Sequence, residues 1–242
     1  MSPTVLPECP DARRQNVGEG AESAATGCPK HPPPELRSLL GAWHAFYTAG
    51  MILEGIVTTR DSGGATHVAP IGPIVDQSLS KLRLRPFKTS QTYANLKRAP
   101  FGVFHVVDDV LLMARSAVGL LTESPPTFPA EKVPGAVLAD CCRWYEFEVR
   151  EFDDSRERAE MLARVLHCGR VRDFFGFNRA KHAVLEAAIL ATRLHLIPRA
   201  EILAEFNRLR PAVSKTGGST EVEAFALLEG YVRDAPNPRK DD

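Results

Sequence analysis

The stretch Lys81–Asp108, KLRLRPFKTSQTYANLKRAPFGVFHVVD, decides the reading of the chain. Lys81, Arg83 and Arg85 alternate with Leu82 and Leu84, the two-residue period of a half-buried strand. Pro86 has no N–H to give to a ladder and closes that strand. Lys88, Thr89, Ser90, Gln91 and Thr92 then place one cation, three hydroxyls and an amide in succession. A helix is expected over 91–98, with Thr89 or Ser90 as its N-cap. Its first-turn N–H groups and positive dipole end face the hydroxyl cluster, which suits a phosphate. The helix stops before Pro100, and the apolar run Phe101–Val107 restarts as a strand. The same residues also suit an ordinary capped helix between two strands. With a ligand present, three or four charge-assisted hydrogen bonds of about 1.5–3 kcal/mol each would hold a phosphorylated cofactor.

Upstream, MILEGIVTT (Met51–Thr59) reads as a β-branched strand, and Asp61, Ser62, Gly63 and Gly64 as a turn. THVAPIGPIV (Thr66–Val75) returns as a strand interrupted by Pro70, Gly72 and Pro73. Proline demotes a strand to an edge or a bulge, and glycine marks a close approach, so this irregular backbone suits either a plain bulge or a flat ligand. Downstream, a helix is expected after Asp108 and Asp109, with an aspartate as its cap. Leu121–Gly135 is a proline-rich loop, and 136–152 holds a long strand. Helices are then expected from Asp154 or Ser155 to about Cys168, over 178–194, from Pro198 to about Leu209, and over 221–232, with a loop at 213–220. A β half followed by a helical half indicates α+β. Neither GxGxxG nor GxxxxGK occurs.

The 242 residues are 44% hydrophobic and 25% charged, as expected of one or two globular domains. Thirty basic and thirty acidic side chains cancel, which argues against a nucleic-acid or anionic-membrane partner. No apolar run approaches the roughly 20 residues of a membrane span, and Met1–Cys9 does not read as a signal peptide, so a cytoplasmic protein is expected. Five cysteines without motif spacing argue against a disulfide framework. Cys28 and His31 lack a second ligand pair, so no metal is expected. Cys141 and Cys142, read as part of a strand, point to opposite faces as packing residues. His105, inside an apolar strand, reads as a satisfied core histidine.

The ordered series MILEGIVTT, VAPIGPIV, RPFKTSQTYANL and HVVDDVLL resembles the family known as domain of unknown function 447. That family occurs in archaea and in some bacteria with methanopterin-linked one-carbon metabolism. The later segment GFNRAKHAVLEAAILATRLHL resembles the family's C-terminal part, so the resemblance covers roughly Gly50–Tyr231. It implies an FMN-binding split β-barrel, the fold of flavin reductases and pyridoxamine-phosphate oxidases, followed by a C-terminal helical subdomain. It also implies a homodimer with FMN at each subunit interface. Carried over by position, Lys88, Thr89, Ser90, Gln91 and Thr92 fall on the phosphate turn. Pro70, Ile71 and Gly72 fall on the strand backing the flavin ring, with Arg85 near both and Asn95 on the following helix.

The expected organisation is a disordered tail over 1–34, a docking helix over 35–48, the barrel over 49–153, the helical subdomain over 154–234 and a polar tail over 235–242. Asn178, Arg179 and His182 at a helix start, and Lys215 beside Gly217–Gly218, suit either ligand contact or simple caps and turns. The implied function is an FMN-dependent, flavin-reductase-like oxidoreductase with a small-molecule electron donor or acceptor, in which no side chain is assigned a catalytic role. Two alternatives stay open. One is a flavin carrier or sensor without turnover. The other is a flavin-free interaction protein presenting Ala183, Leu185, Ala188, Ile189 and Leu196 to a partner.

Overall fold

The computed structural model describes residues 50–236. The tail expected over 1–34 and the helix expected over 35–48 lie outside the described residues, as does the C-terminus beyond 236. The strands are β1 (Met51–Ile52), β2 (Gly55–Arg60), β3 (Thr66–Ile71), β4 (Ile74–Val75), β5 (Lys81–Leu84), β6 (Phe101–Val106), β7 (Thr127–Pro129), β8 (Ala136–Leu138), β9 (Arg143–Asp153) and β10 (Glu160–Arg170). The helices are α1 (Gln91–Arg98), α2 (Val110–Ala117), α3 (Arg179–Ala191), α4 (Arg199–Thr216) and α5 (Ser219–Asp234). Eight strands form one sheet in the order β1-β4-β5-β10-β9-β6-β2-β3, with antiparallel pairing throughout, and β7 pairs with β8 separately.

That order requires curvature. β3 is one edge of the sheet and β4 lies next to the other edge, six strands away. In a flat sheet those strands stand about 29 Å apart at ~4.8 Å per neighbour. The three residue steps from Ile71 to Ile74 span at most ~10 Å. β1 and β2 pose the same problem between Ile52 and Gly55. The sheet therefore curls until its edges meet, and the two short crossings lie together as a seam. The Leu53 N–H donates to the Pro73 carbonyl across it (3.1 Å). At Gly72 a Cβ would come within 2.7 Å of Ile52 Cγ2 and 2.8 Å of Glu54 Oε1, which explains the glycine.

The barrel interior is filled by Val57, Leu82, Leu84, Phe104, Phe147 and Met161, all buried. Gly55 and Gly102 admit those rings: a Cβ on Gly55 would lie 2.3 Å from the His105 carbonyl and 2.6 Å from the Phe104 ring. A second core joins α2 to α3, α4 and α5 through Ala114, Ala183, Val184, Phe206, Phe225 and Leu228. Ala183 and Ala188 of the proposed partner-facing stripe are thus packed inside, while Leu196 is exposed.

Three expectations are corrected. Residues 154–168 are not a helix, because Glu160–Arg170 is the long strand β10, paired with both β5 and β9. The barrel strands therefore run to Arg170, past the expected boundary at 153. EMLARVLHCGR is rich in helix formers, but ladders on both sides override that preference. Second, α4 continues through Pro211 to Thr216 where a loop was expected from Val213, because Val213 is buried against the helical core. Third, Cys141 and Cys142 precede β9 rather than lying in it, and both are buried.

Candidate functional site

The seam carries the site. On one side of Pro70, Ile71 and Gly72 is a cleft of about 260 Å³, closed opposite by Arg85, Pro86, Phe87, Ser90, Thr92 and Arg158. Local chemistry builds the second wall. Pro86 ends β5, and residues 87–90 turn so that the Ser90 N–H and hydroxyl both donate to the Phe87 carbonyl (2.9 and 2.7 Å). Ser90 Oγ in turn accepts from the Tyr93 N–H (3.2 Å), capping α1 as expected. The N–H groups of Gln91 and Thr92 in the first turn have no upstream helical carbonyl to meet, so the positive end of α1 faces the cleft.

Arg85 is the most informative residue. Its Nε is buried and has no hydrogen-bond partner among the described residues. A buried donor left unmet costs about 1–3 kcal/mol, so such an atom calls for an acceptor. Arg158 supplies a second cation. Its guanidinium lies 4.0 Å from the centroid of the Phe87 ring, and the two residues form an isolated β-bridge. The sequence reading missed Arg158 because SRERAE reads as a charged helix face, whereas it is the approach to β10.

The structure sorts the remaining expected residues. Pro70, Ile71, Gly72, Arg85, Ser90 and Thr92 line one cleft. Lys88 and Thr89 are exposed beside it and do not line it. The Asn95 side chain is turned inward instead, and exposed Gln91 bonds to it. Gln91 Nε2 donates to Asn95 Oδ1 (2.8 Å), and Asn95 Nδ2 donates to Thr59 Oγ1 (2.9 Å). Buried Asn95 thus ties α1 to β2. His105 is a satisfied core residue: Nδ1 donates to the Ile56 carbonyl and Nε2 accepts from the Leu138 N–H, both at 3.1 Å. Burial pushes its pKa down to about 4.

Asn178 caps α3, accepting from the Ala180 and Lys181 N–H groups and donating to the Thr216 carbonyl. Gly217 and Gly218 form the turn between α4 and α5, where the Gly218 N–H donates to Glu221. His182 stacks on Phe177. On the other side of Pro70–Gly72 lies an apolar groove against α2 and α3, bordered by Glu54. Glu54, which sequence reading placed within a continuous strand, occupies the break between β1 and β2. Among the described residues no cluster of metal-ligating side chains occurs, and no helix is long and apolar enough to cross a membrane.

Comparison with solved structures places this architecture. An FMN-bound protein of the same family model from Methanosarcina mazei superposes with a TM-score of 0.65 at 24% identity, covering 78% of this chain and 99% of that one. The styrene monooxygenase flavin reductase of Pseudomonas putida gives 0.40 at 14% identity, covering 52% of this chain and 83% of that one. An FMN-binding protein from Thermus thermophilus gives 0.42 at 13% identity, covering 61% and 82%. The first establishes the fold as a split β-barrel with C-terminal helices; the other two are too distant to add to it. No curated protein matches the chain. The family models for the N-terminal and C-terminal domains of the protein of unknown function DUF447 match residues 53–172 and 178–230. The chain therefore belongs to the DUF447 family.

Proposed function

We propose that this protein is an FMN-binding flavoprotein with flavin-reductase-like oxidoreductase activity. The observation that carries the reading is Arg85 Nε, a buried donor without a partner among the described residues, in a cleft that also receives the start of α1. A phosphate there takes charge-assisted hydrogen bonds from Arg85 and Arg158, with the Thr92 hydroxyl and the first-turn amides completing the cradle. Lys88 and Thr89, exposed at the rim, add charge and polarity rather than contact.

The opposite wall suits a flat ring. Gly72, which lines the cleft, has no ladder partner, so its backbone groups are not taken up by a neighbouring strand. The bound flavin would supply the carrier of two electrons, and the protein's part is to bind, orient and exclude water. Among the described residues that line the cleft, none is placed as an acid or base. At about 260 Å³ the cleft falls below the 300–1,000 Å³ usual for a cofactor-sized ligand. A second copy of the chain, seated on the seam where Met51 and Ile52 are exposed, would complete it. The homodimer is thus part of the proposal.

The test is the visible spectrum of the purified protein, with chromatography of what it releases on denaturation. Released FMN is expected, with reduction by a nicotinamide or deazaflavin donor. A colourless protein that fails to take up added FMN overturns the reading. Bound FMN that no donor reduces would leave a flavin carrier.

A further inference from the structure

We propose that the apolar groove on the helix side of the Pro70–Gly72 seam is a substrate subsite, and that it takes an uncharged single-ring molecule. The inference rests on the flavin reading, because cleft and groove meet at the same three residues. A ring held in the cleft against Pro70, Ile71 and Gly72 has the groove as its neighbour.

Size sets the first limit. The groove measures about 170 Å³, and an engineered apolar cavity of about 150 Å³ admits benzene. One six-membered ring with a short substituent fits. The walls agree with such a guest: Met113 and Ala117 come from α2, and Leu185, Ala188 and Ile189 from α3. A shallower hollow continues the groove toward Val107, Phe174 and His182, sharing Glu54, Met113 and Leu185.

Glu54 sets the polarity. Its carboxyl stands beside Gly72, at the junction of groove and hollow, and no described residue hydrogen-bonds to it. Glu54 is exposed on one side, and its partial desolvation raises its pKa, as does the nearby charge of Glu186. The walls offer a charged guest nothing in place of its water, so an uncharged ring is the complementary guest. Anionic guests are repelled by Glu54 and Glu186. Lys181, which lines the hollow, offers no rescue, because its Nζ is held by Glu221 (2.9 Å) and the Asp108 carbonyl (2.6 Å).

The experiment is calorimetric titration of the FMN-loaded protein with acetophenone, and with benzoate and benzylamine as anionic and cationic counterparts. Acetophenone should bind, and the two charged rings should bind at least tenfold more weakly. Ala117→Phe fills the groove and should weaken acetophenone at least tenfold with FMN content unchanged. Thr192→Trp, at an exposed position on the groove's mouth, should do the same without touching the core. Acetophenone binding unaffected by both substitutions overturns the proposal, as does benzoate or benzylamine binding as tightly. FMN retained with no acetophenone bound overturns the groove alone. A protein that never holds FMN, yet loses acetophenone in Ala117→Phe, supports the ring site and overturns the flavin reading instead.

Discussion

The buried layer between the barrel wall and the proline-rich loop with β8 treats polar groups in the opposite way to the seam. Inside, His105 meets a partner at each ring nitrogen. Fully buried Glu146 accepts from the N–H groups of Glu131, Lys132 and Val133 and from the Trp144 indole. At the seam, Arg85 Nε is buried with no hydrogen-bond partner among the described residues, and the Glu54 carboxyl faces solvent. A satisfied buried network defines one structure, whereas an unmet donor waits for an acceptor from outside. The interior groups therefore govern stability, and the seam groups govern binding.

The largest test of that division is Glu146→Ala. It strands three backbone N–H groups that hold the proline-rich loop against β9, at about 1–3 kcal/mol each where they are buried. A loss on the order of 3–5 kcal/mol in urea unfolding is expected, with FMN affinity of the folded fraction unchanged. If instead flavin is lost while stability holds, the division is broken.

Arg85→Met is the converse. One or two charge-assisted bonds to phosphate correspond to roughly a 10- to 100-fold rise in the FMN dissociation constant. The thermal midpoint should move by less than about 2 °C, because the Nε that is lost has no partner among the described residues. A large fall in midpoint with unchanged FMN affinity would make Arg85 an interior residue after all.

His105 adds a pH dependence to the interior. Burial holds its folded pKa at about 4, against 6.5 in the unfolded chain, and the opposing contribution from the Ile56 carbonyl is smaller. Below pH 6.5 the unfolded state takes a proton that the folded state refuses. Stability from this source is complete above pH 6.5 and falls as pH drops toward 4, by about 3 kcal/mol. His105→Gln should cost about 1–3 kcal/mol at pH 8 and flatten the stability profile between pH 6.5 and 4.5. An unaltered profile would show that His105 does not carry that dependence.

How much of this was legible depends on whether the deciding forces were local. The turn at Pro86, the Ser90 cap and the limits of α1 follow from single residues and appear where sequence places them. The break at Gly72–Pro73 was legible for the same reason. β10 was not. Its ladder to β9 shifts register between Leu162 and Ala163 and again between Val165 and His167, which destroys the alternation that marks a strand. Met161, Leu162, Val165 and Leu166 then mimic a helical stripe. Arg158 and Glu54 were missed because their importance comes from the curl of the sheet, which no short window contains. Asn95 was read toward the cleft because its helix is right, but its direction is set by Thr59, distant in sequence.

Glu54→Gln gives the smallest effect and the sharpest test of the seam. The folded pKa of Glu54 is raised, first by burial and then by Glu186. A raised carboxyl binds its proton more tightly in the folded state, so its contribution is full at low pH and is lost as pH rises through the raised value. Glutamine has no charge to form, and the stability of the variant relative to the wild type should grow from pH 4.5 to pH 8. The shift in midpoint should stay within about 2 °C because the side chain is partly open to solvent. Binding responds more strongly, since glutamine stays uncharged at every pH. Acetophenone affinity should fall in the wild type as Glu54 ionises and stay level in the variant. Identical pH profiles in the two proteins would remove Glu54 from the ring site, and would leave the seam with Arg85 as its defining unmet group.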